Sequence, residues 1–219
     1  MSKIPLQKFI ADAGYCSRKQ AEELIKKGLE GGDHMVLVNG VSAGPGVRVD
    51  ENDDVRVDGK KLELPSRKVY IKINKPRGYT CTTREFKNEK NVLSLLQDGG
   101  EGSKLLSEHR LFMVGRLDKN SRGLVIVTSD GDLGQRLMHP SFKHRKIYEV
   151  RIKQKNYDEK EIKNRFLQGV DIGRGLGIVK AEKVEHASNK RFEIVLTEGK
   201  KRQIRRMFEV LGLTVSNLI

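Results

Sequence analysis

The sequence predicts an α+β protein in two parts: a small unit over residues 1–65, then a larger unit over 66–219 built on a mixed, mainly antiparallel sheet. Three observations point there. Hydrophobic spacing switches between helical and strand periods without a strict βαβ rhythm. The length of 219 residues suits two modest domains, or one with a small appendage. The charge balance also breaks: residues 1–66 carry 10 basic and 11 acidic groups, and the remainder carries 33 and 18.

Leu6, Phe9, Ile10 and Ala13 recur at i, i+3, i+4 and i+7, one face of a short helix that stops at Gly14. Ser17 opens a second helix, and Gln20 three residues on completes a capping box. Ala21, Leu24 and Ile25 form its apolar stripe, with Gly28 as the expected stop. Val36-Leu37-Val38 before Asn39-Gly40 reads as a strand and tight turn. Val47, Val49, Val55 and Val57 alternate with polar residues, and Asp58-Gly59 supplies another turn. A unit this small buries little and is marginal alone.

A linker is expected over 62–68, around Pro65. Val69, Ile71 and Ile73 then alternate as a strand closed by Asn74-Lys75-Pro76-Arg77-Gly78, with 79–83 as its hairpin partner. Val92, Leu95 and Leu96 suggest a short helix, and 98–104 a glycine-rich loop. Further strands are expected over 111–114, 124–128, 147–152 and 191–197. Helices are expected from a cap at Asp130 to about Met138, and over 158–168 and 203–211. Gly173-Arg174-Gly175-Leu176-Gly177 has the wrong spacing for a dinucleotide loop and reads as a turn.

The charge narrows the partner. A net charge of +14 recruits polyanions, with nucleic acid the usual one. No stretch approaches the roughly 20 apolar residues of a membrane span, and the start has no signal-type hydrophobic region. Cys16 and Cys81 lie far apart and form no metal-type pair, which points to a reducing, cytoplasmic setting. There is no phosphate-cradling Gly-x-x-x-x-Gly-Lys-Ser/Thr loop and no His-Glu-x-x-His, so no metal, nucleotide or redox cofactor is expected.

Arg18 and Lys19 occupy the first turn of the second helix, where a cation opposes the helix dipole by roughly 0.3–1 kcal/mol. A solvated face is the plain reading, but helix-start amides beside cations also make a phosphate site. The surrounding pattern is Leu6-x-Lys8-Phe9-Ile10, Gly14-x-Cys16-Ser17-Arg18-Lys19-x-Ala21-x-x-Leu24-Ile25-x-x-Gly28, then Val38-Asn39-Gly40. It resembles the S4 RNA-binding domain. The link over 29–35 is a few residues longer than is usual there.

A second block, Gly115-Arg116-Leu117-Asp118-Lys119-Asn120-Ser121-Arg122-Gly123-Leu124 followed by Thr128-Ser129-Asp130-Gly131, carries the chemistry. Alone, its first part is a polar turn. Asp118, however, sits between Arg116 and Lys119, which should hold it ionised. A carboxylate on a polyanion-binding surface costs affinity unless it pairs structurally or does chemistry. The block resembles the catalytic motif of the pseudouridine synthases, specifically the RsuA-type ribosomal RNA enzymes with an N-terminal S4 domain. Asn74-Lys75-Pro76-x-Gly78, Lys146-x-Tyr148 and Glu198-Gly199-x-x-Arg202-Gln203-Ile204-Arg205-Arg206-Met207 resemble three further motifs of that family, in the same order. The family pattern continues past Leu218 with a basic residue and a strand-bearing tail, whereas this chain ends at Ile219.

The resemblance implies isomerisation of a uridine in ribosomal RNA, with no cofactor. It makes Asp118 the catalytic carboxylate, which attacks the ribose or takes a sugar proton. Arg205 would pair with it, Tyr148 would stack on uracil, Leu218 would pack against the base, and Arg116 would support base flipping or contact the backbone. Arg18, Lys19, Lys75, Lys146, Arg202 and Arg206 would contact RNA. From its own chemistry, Tyr148 either fills a half-buried strand position or offers a stacking face worth about 1–3 kcal/mol. Lys200, Lys201, Arg202, Arg205 and Arg206 put five cations in seven residues, enough for phosphate contact by themselves. Leu137-Met138-His139-Pro140 and Arg202-Gln203-Ile204-Arg205-Arg206 look more like large-subunit than small-subunit enzymes. The expected partner is ribosomal RNA or a pre-ribosomal particle, met by a monomer. The alternative is a non-catalytic RNA-binding or ribosome-assembly protein.

Overall fold

The computed structural model describes residues 3–31, 35–83, 87, 89–97 and 100–219. Strand β1 (Ile4–Pro5) leads into α1 (Leu6–Asp12), which buries Leu6, Phe9 and Ile10. Helix α2 (Arg18–Leu29) starts where the local sequence demands. The Ser17 hydroxyl accepts from the Gln20 N–H, and the Gln20 side chain accepts from the Ser17 N–H at 3.0 Å. Such a cap is worth about 0.5–2 kcal/mol. The helix does not stop at Gly28. It runs to Leu29, because the Glu30 N–H still reaches the Lys27 carbonyl and the left-handed exit falls at Gly31, with φ 77°. Residues 32–34 of the long link lie outside the described residues.

Strands β2 (Val36–Val38), β3 (Val41–Ser42), β4 (Arg48–Val49), β5 (Val55–Val57) and β6 (Lys60–Lys61) follow. Four form an antiparallel sheet in the order β3-β2-β5-β6, and β4 pairs with β1. Both tight turns, Asn39-Gly40 and Asp58-Gly59, place two successive residues at positive φ, as a hairpin matched to strand twist requires. Ala21 and Ile25 of α2 join the α1 face and Val36, Val49, Val55 and Val57 in one apolar core.

Strand β7 (Tyr70–Lys75) is not the first arm of a hairpin with 79–83. Thr80 makes an isolated parallel bridge to Asn91, and β7 instead joins a three-stranded sheet. A 3₁₀ turn spans Val92–Leu96. Helix α3 (Glu101–Glu108) occupies part of the expected loop over 98–104; residues 98 and 99 lie outside the described residues. Beyond it run β8 (Phe112–Val114), β9 (Gly123–Thr128), α4 (Gly131–Met138) and a 3₁₀ turn at Pro140–Phe142. The three-stranded sheet has the order β7-β9-β8.

The remaining elements are β10 (Lys146–Ile152), α5 (Glu159–Gln168), β11 (Val170–Asp171), β12 (Ile178–Val179), β13 (Lys183–Ser188), β14 (Arg191–Leu196), α6 (Gln203–Val210) and β15 (Val215–Leu218). An antiparallel sheet in the order β13-β14-β10-β15 sets Tyr148 opposite Ile194 and Val150 opposite Leu218. β13 gives no sequence signal because Val184 is its only buried residue. Helices α5 and α6 cover the sheet through Ile162, Phe166, Ile204, Met207 and Phe208. Phe166, Phe192 and Phe208 meet at ring separations of 4.9 and 5.7 Å, so truncating one costs about 3–5 kcal/mol.

Two compact units result. One comprises Met1–Ile71 with Leu96–Phe112 and Val127–Gly131; the other comprises Lys72–Leu95, Met113–Ile126 and Asp132–Ile219. Among the described residues no helix is long and apolar enough to cross a membrane.

Candidate active site

The segment between β8 and β9 has no regular structure of its own, so other elements must place Asp118. The Ser121 N–H closes a turn onto the Asp118 carbonyl at 2.9 Å. From one side, the Gly78 N–H reaches the Lys119 carbonyl at 2.8 Å, and the Cys81 Sγ accepts the Leu117 N–H at 3.4 Å. From the other, Arg205 of α6 donates to the Asn120 carbonyl at 3.1 Å and the Ser121 hydroxyl at 3.3 Å. The Arg122 N–H is taken by the Leu218 carbonyl of β15. Gly123 sits at φ 123° with Ile219 so close that a Cβ would stand 3.2 Å from its side chain, a position only glycine fills without strain.

Lys75 belongs to this scaffold. Expected to meet RNA, it is instead 0% exposed. Its ammonium donates to the carbonyls of Pro76, Tyr79 and, at 3.4 Å, Lys119. Burial weakens its hold on the proton, while Cys81 and Asp118 act the other way. The turn after Pro76 brings the Pro76 and Tyr79 carbonyls to the same ammonium.

Asp118 opens into a cleft of about 850 Å³. Arg116 beside it, Tyr148 from β10, Leu196 from β14, Leu218 from β15 and Arg202 at the start of α6 line the same space. Five residues expected at a site from distant parts of the sequence thus share one cleft: Asp118, Arg116, Tyr148, Leu218 and Arg202. Lys119 does not pair with Asp118; its ammonium lies 2.9 Å from Glu89. Arg205 makes no ion pair with Asp118 within 4.0 Å among the described residues. It holds the loop backbone just past the carboxylate, with its other nitrogen on the Val215 carbonyl. Burial is the main influence lowering the proton affinity of Arg205, followed by the Arg202 charge, and Asp118 opposes both.

Tyr148 is half-buried and packs on the sheet core. Burial, and after it the Asp118 charge, pushes its phenol above the ordinary tyrosine value, so the ring enters the cleft as a neutral face rather than a base. Lys146 is exposed at the cleft margin, where a Cβ on Gly199 would lie 3.6 Å from its nitrogen. Arg206 is 8% exposed and does not line the cleft. Arg18 and Lys19 are exposed in the first turn of α2, in the other compact unit; within that unit the Arg18 guanidinium lies beside Gly131. Sequence reasoning missed Thr80, Cys81 and Glu89 as cleft residues, and no spacing pattern marks them. Gln203 carried a signal, because it stands inside the basic motif; it anchors the α6 start by accepting from the Lys200 N–H and donating to Glu198.

The cleft thus combines a carboxylate held by backbone bonds with cations, an aromatic face and a leucine, a lining suited to one nucleotide of a polyanion. The comparisons make this specific. Residues 69–210 match the family model for RNA pseudouridylate synthase, and residues 4–55 that for the S4 domain. The chain belongs to the RNA pseudouridylate synthase family and carries an S4 domain. It is 34% identical over 218 residues to a ribosomal large subunit pseudouridine synthase B of Bacillus subtilis, covering 97% of this chain and 82% of that one. It is 32% identical to a dual-specificity RNA pseudouridine synthase RluF of Escherichia coli, covering 99% and 69%. A crystal structure of a pseudouridylate synthase matches with a TM-score of 0.62 at 25% identity, over 98% of this chain and 86% of the other.

Proposed function

We propose that this chain converts a specific uridine of ribosomal RNA to pseudouridine, the large subunit RNA being favoured, with Asp118 as nucleophile. The observation that carries the reading is the convergence of Asp118, Arg116, Tyr148 and Leu218 on one cleft. The names of the large-subunit relatives support the choice of RNA.

The target base must leave its stack or lie in a loop. Uracil enters between the Tyr148 face and Leu218, and Arg116 supports the flipped strand. The N1–C1′ bond breaks as the Asp118 carboxylate bonds to the sugar. The uracil turns, C5 joins C1′, the carboxylate is released, the C5 hydrogen leaves to water as a proton, and N1 takes up a proton from water in exchange. No net oxidation occurs and no group is lost, so the atoms balance without a cofactor. Arg205 positions the loop that aims the carboxylate. Arg18, Lys19, Lys146 and Arg202 meet RNA phosphates. The division of labour proposed is RNA capture by residues 1–65 and chemistry by 66–219, in a cytoplasmic monomer.

Transcripts of large- and small-subunit RNA carrying tritium at uracil C5 test this. The parent chain releases label from the large-subunit transcript. Asp118→Asn binds the same RNA comparably and releases none. Release by the Asn variant near the parent rate makes Asp118 a mere turn residue. Release from the small-subunit transcript alone overturns the choice of RNA.

A further inference from the structure

Outside the catalytic cleft lies a second concavity of about 390 Å³, lined by Ile172, Arg174, Arg202, Arg206, Glu209 and Val210. Arg206 is 8% exposed, and its Nη1 is fully enclosed without a hydrogen-bond partner. No carboxylate among the described residues, Glu209 included, comes within 4.0 Å of its guanidinium. Taking an unpaired cation out of water is costly, and no carboxylate among the described residues offsets that cost. Arg174 comes from the Gly173–Gly177 turn between β11 and β12, to which the catalytic reading gives no role. Arg202 lines this concavity and the catalytic cleft alike, so the two are neighbours.

We propose that the Arg174–Arg206 pocket binds a backbone phosphate flanking the target uridine, on the same RNA strand. The proposal rests on the reading of the cleft as an RNA-modifying site. Three arginines outweigh the one carboxylate, and planar guanidinium forks match phosphate oxygens in a way that lysines do not. The strand whose base turns into the cleft passes over Arg202 and is pinned one step further along. That pin resists the pull of the flipped base on its own backbone.

Arg174→Gly is the informative variant. Arg174 sits at φ 55° between Gly173 at 66° and Gly175 at 71°, so glycine eases the backbone and the variant folds. Binding of unmodified large-subunit RNA transcript is measured by filter retention across salt, beside a thermal melt. Arg174→Gly is expected to lose about three- to tenfold in affinity, and to flatten the slope of log affinity on log salt by about one. Its melting temperature stays equal or rises. Lys163→Ala, an exposed cation on α5, serves as the control and leaves the slope in place. Parent-like affinity and slope in Arg174→Gly overturn the proposal. So does an equal loss in Lys163→Ala, because bulk charge then explains the effect, and so does a parent chain that does not bind the transcript. A parent that binds RNA with the expected slope change but releases no tritium breaks the uridine reading and leaves the phosphate pocket standing.

Discussion

Between Gly115 and Gly123 the chain has no regular structure, and bonds from Lys75, Gly78, Cys81, Arg205 and Leu218 hold it. Arg18 and Lys19, by contrast, stand on a helix turn made by the capping box of Ser17 and Gln20, within four residues of sequence. The difference fits the roles proposed for the two places. A reacting carboxylate has to be placed to a fraction of an ångström, since a misplacement near 1 Å costs about a hundredfold in rate. A phosphate contact tolerates a mobile cation, because Coulomb attraction varies slowly with distance. Long-range scaffolding is therefore concentrated at Asp118, whereas the capping box of Ser17 and Gln20 sets the first turn of α2 locally.

That contrast can be broken most sharply at the carboxylate itself. Asp118→Glu keeps the charge but moves it by one methylene, and single-turnover tritium release should fall about a hundredfold or more. Arg18→Lys, an equally conservative change, should leave RNA affinity within about twofold, as expected of an exposed phosphate contact without a fixed fork. Near-parent activity in the Glu variant means the loop is not a positioning device.

The scaffold offers the next test. Lys75→Met removes a fully buried donor from three carbonyls and is expected to lower unfolding stability by about 2–4 kcal/mol. Urea denaturation reads the loss, and the tritium-release rate at saturating RNA should fall with it. A fully stable, fully active Met variant assigns the lysine no part in holding the loop.

A smaller effect is expected where structure is local. Replacing Arg18 and Lys19 together by alanine should weaken RNA binding by about tenfold at physiological salt and flatten the salt slope by about one to two. The rate at saturating RNA should stay within about twofold, because neither residue belongs to the unit that holds Asp118. A collapse of that rate would mean the first turn of α2 helps assemble the cleft.

The smallest effect concerns Tyr148. Its phenol is raised above the ordinary value of about 10 by burial and by Asp118, so it is protonated throughout pH 6–9. Tyr148→Phe should therefore keep the shape of the pH–rate profile over that range. The sign for stability follows from the same shift. A raised folded-state pKa contributes stability that is full below about pH 10 and lost as pH rises through the folded value. The parent should thus lose stability above pH 10 relative to the Phe variant, read by urea midpoints at pH 8 and 11. A profile whose alkaline limb disappears in the Phe variant would make the phenol a proton-transfer group.

Local chemistry was legible in the sequence wherever a few neighbouring residues decide the outcome. Ser17-x-x-Gln20 determined the start of α2, Asn39-Gly40 and Asp58-Gly59 determined two hairpins, and the motif around Asp118 marked a carboxylate that lines the cleft. Its neighbours were equally plain as residue types. What the tertiary structure decided was who faces whom. Lys75 reads as an RNA contact, yet its buried ammonium donates to the carbonyls of Pro76, Tyr79 and Lys119. Arg205 reads as the partner of Asp118 and becomes the brace of the loop behind it. Arg174 reads as part of a turn and lines a pocket with an arginine 32 positions away. Each outcome depends on pairs distant in sequence. Spacing rules carry the periods of helix and strand, but the burial of a particular charge depends on which segments close over it.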